Sequence, residues 1–326
     1  MILVTGGAGY IGSHMVKLLL KHKFKVVVLD DLSTGNRKAV PDDVPFIMGD
    51  LKHASQVKQV FQEYPISAVM HFAAKCYVGE SVEQPSKYYN NNLLGLINLL
   101  DVMVESNVYK VIFSSSCAVY GVPAQHFIKE DTTQRPISAY GRTKLFCEEI
   151  IKDYSIAYGL NYIFLRYFNV AGADTDGELG EDHQPETHLI PNILKHLQGQ
   201  TQQFNIYGVD YPTPDGTCIR DYIHVTDLVN GHLTALSMLL NDKVKNDEFN
   251  LGRGAGYSIK EILHTCEQIT NKQANIHIDK RRPGDPAKLI ANAYKAENVL
   301  KWKASLDLED MIRTAWKWFT THPNGY

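Results

Sequence analysis

Tyr140 and Lys144 stand four positions apart in the stretch Ser138-Ala139-Tyr140-Gly141-Arg142-Thr143-Lys144. On a helix their side chains share one face. It is the only Tyr-x-x-x-Lys in a chain with 18 tyrosines. The chemistry such a pair can do is proton transfer at a hydroxyl. A phenol titrates near 10 and is a poor base at neutrality, and bringing it to about 7 requires roughly 4 kcal/mol of preference for the phenolate. A close ammonium supplies part of that, and a second positive charge the rest. Ser116, the end of Ser114-Ser115-Ser116, fits the same task, because its hydroxyl can hydrogen-bond an oxyanion as it develops. The spacing alone carries little weight. Its position does more, since the helix follows a strand that ends in serines.

Taking a proton from a carbinol is productive when a hydride leaves the same carbon. The first residues supply what a hydride acceptor needs. Met1-Ile2-Leu3-Val4 is an apolar run, Thr5-Gly6-Gly7-Ala8-Gly9-Tyr10-Ile11-Gly12 follows, and Ile11, Met15, Leu18 and Leu19 then recur at helical spacing. Gly7, Gly9 and Gly12 satisfy G-x-G-x-x-G, and Gly6, Gly9 and Gly12 a three-spaced variant. Strand, glycine turn and helix are the context of a dinucleotide fingerprint. The glycines admit a pyrophosphate close to the backbone, at the positive end of the helix. Lys25-Val26-Val27-Val28-Leu29 ends at Asp30, about 20 residues on, where an acid receives ribose hydroxyls. Asp30 and Asp31 repel a 2′-phosphate, which favours NAD over NADP. Arg37 and Lys38 argue the reverse unless they belong to a solvated loop.

These groups need a scaffold, and the pattern around them alternates. Phe46-Ile47-Met48, Ala68 to Phe72, Val111-Ile112-Phe113 and Tyr162 to Phe168 read as strands. Ala54 to Tyr64, Val82 to Ser106 and Ser138 to Tyr158 read as helices, the last with Ser138 as N-cap. Alternation of this kind predicts an α/β fold, a Rossmann-type doubly wound parallel sheet, with its ligand beyond the carboxyl ends of the strands. Gly49-Asp50, Phe72-Ala73-Ala74, Ser114-Ser115-Ser116 and Tyr167-Phe168-Asn169 fall at those ends. After Asn169 the texture changes. Residues 172–186 read as an acidic loop or lid, Ser258-Ile259-Lys260-Glu261 as a capping box, and Lys280 to Pro286 as a basic turn. The domains expected are 1–169, with a return of the chain around 222–250, and a second, smaller mixed α/β domain over 170–326 that lies over the strand ends.

The glycine motif, the serine run before Ala118-Val119-Tyr120-Gly121, and Tyr140 with Lys144 together resemble the extended short-chain dehydrogenase/reductase family. A finer resemblance, to the UDP-glucose 4-epimerase branch, rests on His71-Phe72-Ala73-Ala74, Val78-Gly79-Glu80-Ser81, Tyr88-Tyr89-Asn90-Asn91-Asn92, Arg166-Tyr167-Phe168-Asn169, Gly208-Val209-Asp210-Tyr211-Pro212-Thr213, Asp215-Gly216-Thr217, Arg220-Asp221-Tyr222-Ile223-His224-Val225 and Arg281-Arg282-Pro283-Gly284-Asp285. It runs from Met1 to Tyr326. The resemblance implies a redox-neutral cycle that interconverts UDP-galactose and UDP-glucose through a 4-keto sugar, in galactose metabolism. Tyr140 would remove the C4 hydroxyl proton, with Ser116 and Lys144 as its partners. Tightly held NAD would be contacted by Gly6, Gly9, Tyr10, Ile11, Gly12, Asp30, Asp31, Asn36, Asp50, Leu51, Phe72, Ala73, Ala74, Asn92, Ser114, Tyr140, Lys144 and Tyr167. The UDP-sugar would be contacted by Ser116, Tyr140, Asn169, His188, Leu189, Asn205, Tyr207, Arg220, Arg282, Asp285 and Leu289. In this assignment Arg220 and Arg282 pair with the diphosphate, Asp285 receives the uridine ribose hydroxyls, and Tyr207 flanks the uracil. Leu289 stands where the family borders the 2-substituent of the hexose, so a UDP-N-acetylglucosamine 4-epimerase is the alternative substrate reading. Two positions depart from some members: Cys76 stands where they have a phosphate-contacting lysine, next to Lys75, and His188 stands where they have asparagine. The family also implies a homodimer, with Val82–Ser106 and Ser138–Tyr158 as the pairing helices.

Composition limits the other classes. With 44% apolar and 21% charged residues and a net charge of −3, the chain is globular and has no basic stripe for nucleic acid or an anionic membrane. No stretch approaches the about 20 apolar residues of a membrane span. A core strand starting at Met1 leaves no room for a signal peptide. The five cysteines are scattered and odd in number, which fits reduced thiols in a cytoplasm. Glu181, Asp182, His183, Glu186 and His188 lack H-E-x-x-H or paired-cysteine spacing and read as a polar lid with no metal. A dehydratase needs an acid pair after the serine strand, where Cys117-Ala118 stand instead. An NAD-sensing binding protein on the same fold is the non-enzymatic alternative, because fold alone does not give function.

Overall fold

Seven strands build the main sheet: β1 (Ile2–Thr5), β2 (Val26–Asp30), β3 (Phe46–Met48), β4 (Ala68–His71), β5 (Lys110–Ser116), β6 (Asn161–Tyr167) and β7 (Asp247–Leu251). The structure is a computed structural model and describes residues 1–281 and 286–326. The sheet order is β7-β6-β5-β4-β1-β2-β3. The pairs β1–β2, β1–β4, β2–β3, β4–β5 and β5–β6 are parallel. β1, β2 and β4 are buried at every residue, as strands covered on both faces must be. The order reverses at β1 and β4, the switch point where doubly wound sheets bind their ligands. This is a Rossmann-type sheet.

One face packs Leu96, Leu99, Leu100 and Met103 with Val57, Val60, Cys147 and Ile151 against Leu3, Val27, Val69, Val111 and Phe164. The helix Ala139–Tyr158 begins at Ser138, whose hydroxyl accepts from the Gly141 N–H at 3.1 Å. The single helix expected over Val82–Ser106 is instead broken. Val78–Glu83 and Pro85–Tyr89 are short helices, Asn90–Leu94 is a π turn, and Gly95–Glu105 completes the segment. The physical reason is local. Pro85 has no N–H to continue the first helix and starts a new one, and the π turn buries Asn92.

By internal packing the chain forms two units, Met1–Gly121 with Thr133–Tyr167 and Val229–Phe249, and Val122–Thr132 with Phe168–Leu228 and Asn250–Tyr326. Residues 122–132, placed with the first domain by the sequence reading, join the second unit because Phe127–Ile128 pairs with the strand Lys288–Ala291. The second unit has a five-stranded sheet around Ile219–His224, which pairs parallel with Asn169–Ala171 and Lys288–Ala291 and antiparallel with Gly256–Ser258. Phe204–Tyr207 pairs with Ile276–Asp279. Its core joins Ile190, Ile193 and Leu194 to Ile262, Leu263, Met311, Ile312 and Trp318. The expected capping box at Ser258 and Glu261 forms in both directions. No helix among the described residues is long and apolar enough to cross a membrane.

Candidate active site

The glycine turn after β1 is built by backbone crowding. Gly6 has φ +72°, and a Cβ there would lie 2.6 Å from the Ala73 amide nitrogen. A Cβ on Gly12 would lie 2.1 Å from the Gly6 carbonyl oxygen. The turn, the start of the helix Tyr10–Lys21 and the segment after β4 therefore meet at backbone distance. Gly9 caps that helix without a side-chain hydrogen bond, so no cap side chain competes at its positive end. This is a cradle an anionic pyrophosphate fits.

Asp30 ends β2 and is 7% exposed. Its Oδ2 accepts from the Ala8 N–H at 2.9 Å and its Oδ1 from the Leu32 N–H at 2.8 Å. Burial pushes its carboxyl up, and those two N–H groups oppose the shift. Asp30 thus ties the turn to β2 and has remaining lone pairs for a ribose hydroxyl. Asp31 accepts from the N–H and hydroxyl of Ser33, at 2.9 and 2.6 Å. Ser33 also receives the Lys75 ammonium at 2.6 Å. Asn36 donates its N–H to the Ala8 carbonyl at 2.9 Å, which fixes the next loop against the turn. Arg37 is engaged in its own loop, donating to the Val40 carbonyl at 2.6 Å and lying 4.8 Å over the Phe46 ring. That engagement supports the solvated-loop reading for Arg37.

The remaining cofactor candidates sit where their strands end. Asp50 bonds the Lys52 N–H at 2.9 Å, and Leu51 accepts from Asn98 at 2.9 Å. Phe72 follows β4 and lies 5.0 Å from the His232 ring, with Tyr167 5.9 Å from the same ring. Asn92 is 3% exposed. It accepts from the Lys75 N–H at 2.9 Å and donates to the Lys75 carbonyl at 3.1 Å and to Thr143 Oγ1 at 3.0 Å. The π turn thereby holds the Ala73–Lys75 segment against the helix that carries Tyr140.

Tyr140, Lys144 and Ser116 come together. Tyr140 is 8% exposed, Ser116 8% and Lys144 4%. The Ser116 hydroxyl accepts from the Ala118 N–H at 3.1 Å and lies close enough to the Tyr140 phenol to favour its ionised form. Lys144 Nζ lies 5.9 Å from the centre of the Tyr140 ring and donates to the Ser114 carbonyl at 2.7 Å. Burial pushes the Tyr140 phenol well above its ordinary value, Tyr167 and Cys76 add to that, and Ser116 opposes it. Burial also pulls the Lys144 ammonium down. A buried phenol of this kind becomes a base near neutrality only with more positive charge beside it.

Sequence reasoning passed over the layer beneath. Ser115 donates to Glu148 Oε1 at 2.5 Å, and Glu148 takes Arg166 through Nε at 2.9 Å and Nη2 at 2.5 Å. Arg166 also meets the Tyr120 hydroxyl at 3.0 Å. Both charges are buried, Glu148 at 0% and Arg166 at 1% exposure. Burial works against the Arg166 charge, and Glu148 overrides it and raises the guanidinium. The signal was available, because Glu148 is four residues after Lys144 on the same helix. His71 is a second omission. It is 3% exposed, meets Thr5 Oγ1 at 2.7 Å, and is pushed down by burial to about 3, so it is neutral.

In the second unit, Asn169, Arg220 and Leu289 lie on three neighbouring strands, with Asn169 opposite Tyr222 and Leu289 opposite Arg220. Leu289 is 9% exposed. Asn205 and Tyr207 share a face of the strand Phe204–Tyr207. His188 caps the helix that Leu189 begins. Burial opposes the charge on His188, but Glu181 and then Glu186 raise its imidazolium to about 11. Arg282 and Asp285 lie outside the described residues.

The comparisons agree with this geometry. The family model described as "NAD dependent epimerase/dehydratase family" matches residues 2–252. A UDP-glucose 4-epimerase of Lactobacillus helveticus is 48% identical over 326 residues, covering 100% of this chain and 98% of that protein. The crystal structure of UDP-glucose 4-epimerase from Brucella ovis in complex with NAD has a TM-score of 0.94 at 48% identity, covering 97% of each chain. That of the Bifidobacterium longum enzyme in complex with NAD+ and UDP has a TM-score of 0.95 at 39% identity, covering 100% of this chain and 99% of that one. The glycine cradle, the buried Tyr140–Ser116–Lys144 group and these full-length likenesses place the chain in the NAD dependent epimerase/dehydratase family.

Proposed function

We propose that the chain interconverts UDP-galactose and UDP-glucose by inverting C4 of the hexose, with NAD retained through the cycle. The observation that carries this is the buried meeting of Tyr140, Ser116 and Lys144 where β5 ends, beside the glycine cradle. The relatives' shared activity supports it. When bound, NAD accepts and returns the hydride at C4.

The chain's own residues do the rest. Tyr140 Oη takes the C4 hydroxyl proton and later gives it back. The Ser116 hydroxyl bonds the sugar oxygen while its charge develops. Lys144, fixed by the Ser114 carbonyl, contributes one of the positive charges that the buried phenol needs. The Gly6–Gly12 turn and the helix start hold the pyrophosphate, and Asp30 the adenosine ribose. Arg220, Asn169, Tyr207, Asn205, His188 and Leu189 are assigned to the UDP-sugar, with Leu289 beside the 2-substituent. UDP must be gripped and the hexose held loosely, because the 4-keto sugar has to present its other face before hydride returns. The cycle is redox-neutral.

We also infer a homodimer and a reducing, cytoplasmic setting. Exposed Leu94 and Phe146, and Ile156 at 86%, offer an apolar surface on the two candidate segments, and none of the five cysteines, all among the described residues, is in a disulfide. The test of the reaction is incubation of purified protein with UDP-galactose and no added nucleotide. UDP-glucose should appear until the two sugars equilibrate. A strict need for added NAD, with NADH accumulating, would make the protein an ordinary dehydrogenase.

A further inference from the structure

Apart from His188, assigned above to the UDP-sugar, the segment from Glu181 to His188 has no part in the proposed reaction. Its Glu-x-His-x-x-Glu-x-His order matches no helical zinc spacing, yet the fold closes it on itself. One donor atom from each of Glu181, His183, Glu186 and His188 lies within 4.8 Å of all the others. His188 Nδ1 is 2.7 Å from Glu181 Oε1 and 2.9 Å from Glu186 Oε1, and His183 Nδ1 is 3.1 Å from Glu181 Oε1. Three of the four side chains are enclosed, with Glu181 at 5%, Glu186 at 4% and His183 at 12% exposure, and His188 stands at the open side at 39%.

A second observation points to a ligand. Glu186 Oε1 already accepts from the N–H groups of Thr187 and His188, each at 2.8 Å. Glu186 Oε2 is buried and has no hydrogen-bond partner. A buried carboxylate oxygen without a donor is costly, and a cation removes that cost. The frame is fixed from both sides. Trp318 Nε1 donates to the Glu181 carbonyl at 3.2 Å, Gly180 N–H to the Tyr326 hydroxyl at 3.1 Å, and His188 starts the helix Leu189–Leu197.

We propose that Glu181, His183, Glu186 and His188 form a divalent transition-metal site, best suited to Zn²⁺, that clips this loop to the start of the helix Leu189–Leu197. Two imidazole nitrogens and two carboxylate oxygens are a borderline donor set that suits zinc, whereas Ca²⁺ and Mg²⁺ take all-oxygen sets. Tetrahedral bonds of about 2.0–2.1 Å put donors about 3.3 Å apart, inside the 4.8 Å that spans the four donor atoms here. The dication displaces the proton that His188 Nδ1 otherwise holds between the two carboxylates, and neutralises both charges. With four protein donors the site is closed, so its role is structural.

The test uses the full chain, stripped with a chelator and titrated with Co²⁺, then Zn²⁺. The expected result is one Co²⁺ per chain with the intense visible bands of tetrahedral cobalt, displacement by Zn²⁺, and a higher Tm with metal. Glu186→Gln and His183→Ala should each abolish the bands, while His264→Ala, at an exposed histidine elsewhere, should keep them. If the wild-type chain takes up no metal, the four side chains form an ion-paired network only and the proposal is overturned. Retention of the bands in both folded variants overturns it equally. The wild-type titration decides the matter even if a variant does not fold.

Discussion

At the scale of single residues, the proposed carrier of the proton is Tyr140. Tyr140→Phe keeps the ring and its packing but removes the acceptor, so turnover should fall at least about 100-fold while Tm stays near the parent value. Near-normal turnover in the folded variant would refute the assignment. The proposed function puts Leu289 beside the 2-substituent of the sugar. It is shorter than a tyrosine and bulkier than a serine, and one such difference in an apolar pocket is worth only about 1–3 kcal/mol. UDP-galactose should therefore be the better substrate and UDP-N-acetylgalactosamine a slower one. Leu289→Tyr should remove the second activity and leave the first within about tenfold. The comparison is kcat/KM for both sugars in both proteins, and equal loss of the two would dismiss Leu289 from the pocket. Beneath the serines, Glu148→Gln leaves the Arg166 guanidinium buried without its carboxylate. Breaking such a pair costs about 3–5 kcal/mol, to be read from denaturant unfolding. An unchanged midpoint would mean that Arg166 finds another partner.

At the scale of elements, the π turn Asn90–Leu94 connects two parts of the proposed cofactor site. Asn92 joins the backbone of Lys75 to Thr143, one residue from Lys144. Asn92→Ala takes that partner from the part-buried N–H and carbonyl of Lys75, at up to about 1–3 kcal/mol each, while the Thr143 hydroxyl keeps the Tyr140 carbonyl. It also frees the Ala73–Lys75 segment that abuts Gly6. Both Tm and the fraction of purified protein carrying NAD should drop. A variant that lost stability but kept its full complement of NAD would show that Asn92 is only a packing residue. The long helix read from the apolar pattern did not anticipate this, because periodicity records which residues face the core and not a change in hydrogen-bond spacing.

At the scale of the whole molecule, the proposed cycle and assembly are both measurable. Since NAD is regenerated at each turnover it need not leave, so protein purified without added nucleotide should carry it, partly reduced. Light scattering should give twice the mass of one chain at micromolar concentration. The surfaces proposed for pairing include Leu94, 43% exposed, in the π turn Asn90–Leu94, and Phe146, 44% exposed, on the helix Ala139–Tyr158. A monomer mass there, with Leu94→Glu and Phe146→Glu indistinguishable from the parent, would remove the dimer.

The sequence by itself determined the sheet class, the glycine turn and the tyrosine–lysine pair. Each of these is local: strand and helix periods, glycines that only a close backbone approach requires, and two side chains one helical turn apart. What only the tertiary structure decided is pairing over distance. Gly6 against Ala73, Asn92 against Lys75 and Thr143, and Glu148 against Arg166 join residues that no spacing rule relates. The same holds for residues 122–132, which one short strand pairing assigns to the second unit. It holds most for Glu181, His183, Glu186 and His188. Their order in the chain matches no ligand pattern of a regular element, and an irregular loop held by Trp318 and Tyr326 brings their donor atoms together. A helix or strand fixes side-chain positions by its period, whereas a loop takes its shape from whatever it packs against.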